Sequence, residues 1–168
     1  AATREAQVRA MLAAASLIGD ERPADAEWLL RRAYALNRDN FTVTNNLAYH
    51  LITHGGDASE AAALAQGAVA SGLGRDPRPE VLANVYDTLG TALLAAGRPE
   101  EAQQAFERGL DAEPPNAALQ LGLAEALHEQ GLGAEARRAF DAIEQGALAQ
   151  LSPGQRERYD RLGAAIAP

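Results

Sequence analysis

The 168-residue chain has no cysteine and no lysine, and only 5% of its residues are aromatic. The absence of cysteine excludes disulfides and thiolate metal sites, and it leaves the redox compartment open. No stretch approaches the roughly 18 apolar residues of a membrane-spanning helix, and no signal peptide is recognisable. Direct membrane insertion is therefore not expected.

The charge balance is acidic. All 15 basic side chains are arginines, scattered along the chain, against 23 acidic ones, and the formal net charge is −8. A nucleic-acid-binding groove needs a surplus of cations against phosphate. Nucleic acid is therefore not an expected partner.

Motifs of enzymes and of cofactor sites are also missing. No phosphate-binding glycine loop or nucleophile elbow occurs, so neither a catalytic residue nor a cofactor is expected. His50 and His54 lie four residues apart, the spacing at which two helical imidazoles can share a metal ion. No glutamate accompanies them and no third ligand is evident. A structural role, and no metal site, is therefore predicted for the pair.

What the chain does contain is a succession of Ala- and Leu-rich segments at helical spacing, separated by Gly and Pro. The clearest unit, residues 83–116, contains Tyr86, Leu89-Gly90, Gly97, Ala102, Phe106 and Pro114. This order predicts two antiparallel helices with Phe106 between them, and Gly97 can take the left-handed conformation that ends the first. The same offsets recur over residues 117–150 and, with one extra residue at a Gly-Gly turn, over 41–76.

This arrangement resembles the tetratricopeptide repeat (TPR), a helix–turn–helix of 34 residues. The resemblance implies an all-α fold, a right-handed superhelical α-α solenoid of about four repeats with a C-terminal capping helix, nine helices in all. The predicted repeats are approximately residues 7–40, 41–76, 83–116 and 117–150, and the capping helix is 152–166, within a single domain of residues 1–168.

Three details of this frame are less regular. The first helix of the first repeat is ambiguous, because Gly19 lies two residues early. Two prolines in residues 74–79 interrupt the register, and a bend is expected near Pro77. Ser152 and Gln155 have the spacing of a capping box at the start of the capping helix.

The TPR resemblance implies a concave groove lined by side chains of the first helix of each repeat. In the second repeat these are Thr42, Asn45, Tyr49, Ile52 and Thr53. In the third they are Asn84, Asp87, Thr91, Leu94 and Ala95, and in the fourth Ala118, Leu121, Glu125, His128 and Glu129.

Several of these side chains are predicted to bind a partner. Asn45 and Asn84 can hydrogen-bond a peptide backbone, because an amide both donates and accepts. Tyr49 offers an apolar face with a polar tip. The acids Asp87, Glu125 and Glu129 favour a basic segment in the partner. The predicted partner-binding set in the groove is Asn45, Tyr49, Asn84, Asp87, Thr91, Glu125 and His128. The alternative is that the asparagines satisfy helix ends and the acids are merely solvated.

Two features belong to the outer face. Trp28 is expected there, where it either anchors a partner or is covered by a segment outside this sequence. The helix over residues 60–71 is mostly alanine and is expected to be buried on more than its usual face.

These observations favour a non-catalytic scaffold that binds a peptide or protein in its groove. The resemblance extends to TPR proteins of bacterial envelope, secretion or assembly systems, in the cytoplasm or the periplasm. Two alternatives stay open. One is an oligomerisation or spacer segment that self-associates through the alanine-rich outer face. The other is an accessory domain of an enzyme whose catalytic part lies outside these residues.

Overall fold

The computed structural model describes residues 2–72, 78–143 and 145–166, and within these ranges the chain forms nine α-helices and one 3₁₀ helix with no strand. The helices are α1 (Ala2–Ile18), α2 (Pro23–Leu36), α3 (Phe41–Thr53), α4 (Ala58–Gly72), α5 (Pro79–Ala95), α6 (Pro99–Ala112), α7 (Ala117–Glu129), α8 (Gly133–Asp141) and α9 (Pro153–Ala165), with the 3₁₀ helix at Gln145–Gln150. The predicted all-α fold is confirmed. In the described residues, no helix is both long enough and apolar enough to cross a bilayer.

Consecutive helices pack in pairs, α1 with α2, α3 with α4, α5 with α6 and α7 with α8. Three of the turns within these pairs contain a glycine with positive φ: Gly55 at 73°, Gly97 at 70° and Gly131 at 78°. Side chains other than glycine rarely adopt this conformation, so these glycines fix where each first helix ends. The role predicted for Gly97 is confirmed.

Capping side chains determine where three of the helices begin. The side-chain oxygens of Asn40 and Asn116 accept the backbone N–H groups of Thr42 (3.0 Å) and Ala118 (3.1 Å), and so cap α3 and α7. At α9, Ser152 N–H donates to Gln155 Oε1 (3.0 Å) and Gln155 N–H donates to Ser152 Oγ (3.3 Å). The predicted capping box is therefore confirmed.

The chain divides into two compact units, an N-terminal unit of residues 1–77 and a C-terminal unit of residues 78–168. Helix α5 begins at Pro79, four residues before the predicted repeat boundary at 83, because a proline at the first helical position is preorganised for a helix. Residues 73–77, with the expected bend at Pro77, lie outside the described residues. The single domain stays a prediction.

In the N-terminal unit, small side chains form much of the core. Helix α1 ends at Ile18 and Gly19 lies in the turn that follows, which resolves the register of the first helix. Helix α4 buries Ala61, Ala62, Leu64, Ala65 and Ala68. Its outer side, with Ala63, Gly67 and Ala70, is exposed. The expectation that α4 is buried on more than one face is therefore wrong, since its exposed residues follow an ordinary helical period.

In the C-terminal unit, the core is organised around Phe106, which is 0% exposed. Its ring lies against Gly90 of α5 and Gly122 of α7. A Cβ atom added at Gly90 would lie 2.5 Å from the ring, and one added at Gly122 would lie closer still. The two glycines therefore form a socket for the ring, and α5, α6 and α7 approach one another closely there.

Candidate interaction sites

Three first-helix side chains from each of α5 and α7 line one cavity in the C-terminal unit. Its volume is about 430 Å³. The lining residues are Thr91, Leu94 and Ala95 of α5, Glu125, His128 and Glu129 of α7, and Arg158, Arg161, Leu162 and Ala165 of α9. All six residues from α5 and α7 are groove positions predicted from the repeat frame. We call this space the larger cavity.

The third wall of the larger cavity, α9, was not predicted from the sequence. Residues 158, 161, 162 and 165 follow the i, i+3, i+4, i+7 spacing of one helix face, and this signal was available in the sequence. The capping helix thus does more than cover the end of the stack. It supplies two arginines to a surface that the sequence analysis treated as acidic.

Arg158 binds Glu125 directly. Its Nε donates to Glu125 Oε1 at 3.0 Å, and its Nη2 donates to Glu125 Oε2. The Arg158 side chain is 26% exposed and the Glu125 side chain 17%. Desolvation opposes the charge on Arg158, but the Glu125 hydrogen bonds and the charges of Glu125 and Asp87 raise its pKa overall. Glu125 is therefore already paired within the chain.

A second cavity of about 230 Å³ lies at the N-terminal ends of α5 and α7. It is lined by Ala83, Asn84, Asp87, Asn116, Ala117, Ala118, Gln150, Leu151 and Gln155. We call it the smaller cavity. It brings together the predicted groove residues Asn84 and Asp87 with a third one, Ala118. Asn84 is exposed, as expected for a binding residue.

Asp87 is the unusual residue of the smaller cavity. Burial raises its pKa to about 6, with the charge of Arg158 lowering it and that of Glu125 raising it further. Within the described ranges, its carboxylate accepts no hydrogen bond. Its charged form is thus poorly solvated and lacks a direct partner.

In the third and fourth repeats, one predicted groove residue lies in neither of these two cavities. Leu121 is fully buried in a cluster with Ile143, Leu148 and Leu162. Its prediction as a groove residue is therefore wrong, because the 3₁₀ helix and α9 cover this part of α7.

In the N-terminal unit, a cavity of about 230 Å³ lies between α1 and α3. Its walls are Leu12, Ala15, Ser16, Gly19, Asp20, Leu30, Asn46, Tyr49, His50, Thr53 and His54. Tyr49 is 56% exposed, as expected. Asn45 does not line this cavity; it is half-buried, and its Oδ1 is buried without a hydrogen-bond partner among the described residues. The expected exposure of Asn45 is therefore wrong.

The histidine pair is held by hydrogen bonds and stacking. His50 is buried, and its Nε2 donates to the carbonyl oxygen of Pro23 at 3.0 Å. The rings of His50 and His54 stack with centroids 4.2 Å apart. Burial, and then the nearby His54, lower the pKa of His50. His50 therefore ties α3 to the start of α2. No cluster of three or more metal-binding side chains is found in the described part of the chain.

Trp28 lies on α2 and is 56% exposed, as expected for the outer face. The guanidinium of Arg32 lies 4.7 Å from the centre of its ring, within the range of a cation–π contact. Neighbouring Arg31 instead donates to both carboxylate oxygens of Glu60 on α4, at 2.6 and 2.9 Å.

The paired helices define an α-helical repeat protein. Residues 11–77 and 88–154 match the family model described as the tetratricopeptide repeat, so the chain belongs to the TPR family. TPR domains are protein-interaction scaffolds that bind proteins or peptides and are generally non-catalytic.

Solved TPR structures share the fold. PilF of Pseudomonas aeruginosa is 24% identical, with 95% of this chain and 74% of that chain covered and a TM-score of 0.69. YrrB, a TPR protein with an unusual peptide-binding site, is 15% identical, with 93% and 82% covered and a TM-score of 0.63. An O-GlcNAc transferase mutant from Thermobaculum terrenum is 24% identical, with a TM-score of 0.67, but the match covers 82% of this chain and 25% of the enzyme. At these identities the likeness concerns the fold. No curated protein matches the chain.

Proposed function

We propose that this chain is a non-catalytic scaffold that binds an extended segment of a partner protein in the larger cavity of its C-terminal unit. The observation that carries the proposal is the convergence of six predicted groove residues, from two repeats, on one cavity of about 430 Å³. This volume falls in the range typical of small-molecule sites. It is large enough for an anchoring side chain of a partner.

The chemistry of the larger cavity favours an apolar anchor. Leu94, Ala95, Leu162 and Ala165 provide apolar surface, and charged side chains surround it. An apolar side chain that enters such a site is fully desolvated, and residues of this kind contribute most of the energy of an interface. The ion pair of Arg158 with Glu125 fixes one wall, which reduces the ordering cost of binding.

A second contact is proposed in the N-terminal unit. There the exposed ring of Tyr49 lines the cavity between α1 and α3. Tyrosine is enriched at protein interfaces because it combines a large apolar face with a hydrogen-bonding tip. We propose that the scaffold serves a bacterial assembly or secretion system, in keeping with the bacterial TPR proteins that its repeat motifs resemble.

The test uses a displayed library of random peptides selected on the immobilised protein. Ala95 is exposed in the larger cavity, so Ala95→Arg fills the cavity without disturbing the core. We expect selected peptides to bind this variant at least tenfold more weakly, because the anchor loses its site. The matched control is Ala63→Arg, also an exposed alanine but on the outer side of α4. It should leave peptide affinity unchanged.

Other outcomes would point to the alternatives. Peptides insensitive to Ala95→Arg but lost with Ala63→Arg or Trp28→Ala would overturn the groove proposal in favour of the outer face. A monomer–dimer equilibrium abolished by Ala63→Arg, together with no peptide selection, would favour the self-association alternative. Sedimentation equilibrium distinguishes these cases.

A further inference from the structure

The smaller cavity of the C-terminal unit differs from the larger one in its polarity. Its walls carry one carboxylate, Asp87, and the amides of Asn84, Asn116, Gln150 and Gln155. Two of these amides are already engaged, since Asn116 caps α7 and Gln155 completes the capping box of α9. Asp87 and Asn84, together with Gln150, remain to meet a ligand.

The charges around Asp87 do not balance. Two carboxylates, Asp87 on α5 and Glu125 on α7, face one guanidinium, that of Arg158 on α9. Arg158 is bonded to both carboxylate oxygens of Glu125. Asp87 is influenced by this cation through space and forms no hydrogen bond with it. One negative charge is therefore left over at the wall of the smaller cavity.

Three classes of ligand group can be compared for this site. An anionic side chain would be repelled by Asp87. An apolar side chain would remove water from Asp87 and offer no hydrogen bond, which is costly for a carboxylate. A guanidinium or ammonium group would neutralise the surplus charge and donate to the carboxylate, and charge-assisted hydrogen bonds of this kind are the strong ones.

We propose that the smaller cavity binds a cationic side chain of the partner segment, an arginine or a lysine, through a direct ion pair with Asp87 and hydrogen bonds to the amide oxygens of Asn84 and Gln150. This inference rests on the proposed function, in that the cation belongs to the segment whose apolar residue occupies the larger cavity. It adds a position at which the scaffold selects a partner by the positive charge of one side chain.

Binding of the cation is linked to the protonation of Asp87. Only the carboxylate form attracts a cation, and the raised pKa of Asp87, about 6, means that this form is lost in mild acid. At pH 5 about one molecule in ten carries the competent form, so affinity should fall by about tenfold between pH 7.5 and pH 5. The neighbouring charges of Glu125 and Arg158 form their own pair and act on Asp87 in opposite directions.

The experiment uses small probes that do not depend on the larger cavity. Nα-acetyl-arginine methylamide is titrated into the ¹⁵N-labelled protein at pH 7.5, and its neutral isostere, the corresponding citrulline derivative, serves as the control ligand. We expect saturable shifts of the amide signals of Asn84, Asp87 and Ala118 with the arginine probe. Binding of the citrulline probe should be at least fivefold weaker.

Matched variants separate a specific site from general attraction to an acidic protein. Asp87→Asn should abolish the preference for arginine over citrulline and the pH dependence. Asp111→Asn removes the same charge from an exposed position of α6, outside both cavities, and should leave both unchanged. Equal binding of the two probes, or equal damage from the two variants, would overturn the inference. Because Ala95→Arg tests the proposed function, each proposal can fail independently of the other.

Discussion

The two compact units realise the same repeat with different packing. In the C-terminal unit, the ring of Phe106 fills a socket formed by two glycines, Gly90 and Gly122. In the N-terminal unit, the corresponding positions in the second repeat hold alanines, Ala65 in place of the phenylalanine and Ala48 in place of the first glycine, both fully buried. The same repeat positions thus hold a large ring packed on glycine in one unit and two small side chains in the other.

The units also differ in the titratable groups whose pKa is shifted by burial. His50 of the N-terminal unit has a lowered pKa, because burial disfavours its cation. Asp87 of the C-terminal unit has a raised pKa, because burial disfavours its anion. Acid should therefore weaken the first unit through His50, whereas rising pH should weaken the second through Asp87.

The largest effect is expected from the packing difference. Phe106→Ala should lower the free energy of unfolding by about 3–5 kcal/mol, because a fully buried ring leaves a cavity between α5, α6 and α7. Urea unfolding followed by circular dichroism measures it. A cost below about 1 kcal/mol would show that the socket collapses around the missing ring. The difference in packing between the two units would then have no consequence for stability.

A second prediction concerns Asp87. Its pKa rises from 3.8 unfolded to about 6 folded, so the folded state binds the proton more tightly, and stability falls as pH rises between these values. Above about pH 7 the loss is complete and amounts to about 2–3 kcal/mol. Asp87→Asn should thus be more stable than the wild-type protein at pH 7, and this advantage should vanish near pH 3.5. Melting temperatures of Asp87→Asn and of the wild-type protein across this pH range give the difference in their stability. A difference that does not change with pH would contradict the prediction.

Glycine substitutions sharpen the packing comparison. Gly122→Ala should cost about 1–3 kcal/mol, because the added methyl group meets the ring of Phe106. The control is Gly67→Ala in α4, where the nearest atom, Thr44 Cγ2, is 4.0 Å away. That change should stabilise the protein by about 0.5–1 kcal/mol, since alanine is the better helix former. Equal effects of the two substitutions would show that contact with the Phe106 ring does not distinguish Gly122 from the surface glycine Gly67.

The smallest effect is expected at His50. Its folded pKa lies below the unfolded value of 6.5, so its contribution to stability is complete above that value and is lost as pH falls below it. The loss is limited because the cation can still donate to the Pro23 carbonyl oxygen. His50→Gln retains a donor without a titrating ring. The stability of His50→Gln relative to wild type should therefore increase as pH falls, whereas that of Asp87→Asn should increase as pH rises. The same pH dependence for both variants would contradict the lowered pKa of His50.

The sequence predicted what depends on local chemistry and on the repeat period. The glycine turns, the capping box of α9 and the groove positions that line the larger cavity all follow from residue type and a fixed offset. It did not predict the pairing of Arg158 with Glu125, because these residues are 33 positions apart and α9 lies outside the repeat frame. The burial of Leu121 was missed for the same reason. Asn45 was misjudged because a repeat position does not reveal whether an amide oxygen is covered.

The exposed ring of Trp28 has a practical consequence for spectroscopy. It is the chain's single tryptophan and lies in the N-terminal unit. A solvated indole already emits at long wavelength in the native state, so intrinsic fluorescence should change little in wavelength on denaturation. A ligand that covers the outer face of α2 should instead shift the emission to the blue. A ligand confined to the cavities of the C-terminal unit leaves the indole in water, so one emission spectrum distinguishes the two modes of binding without a label.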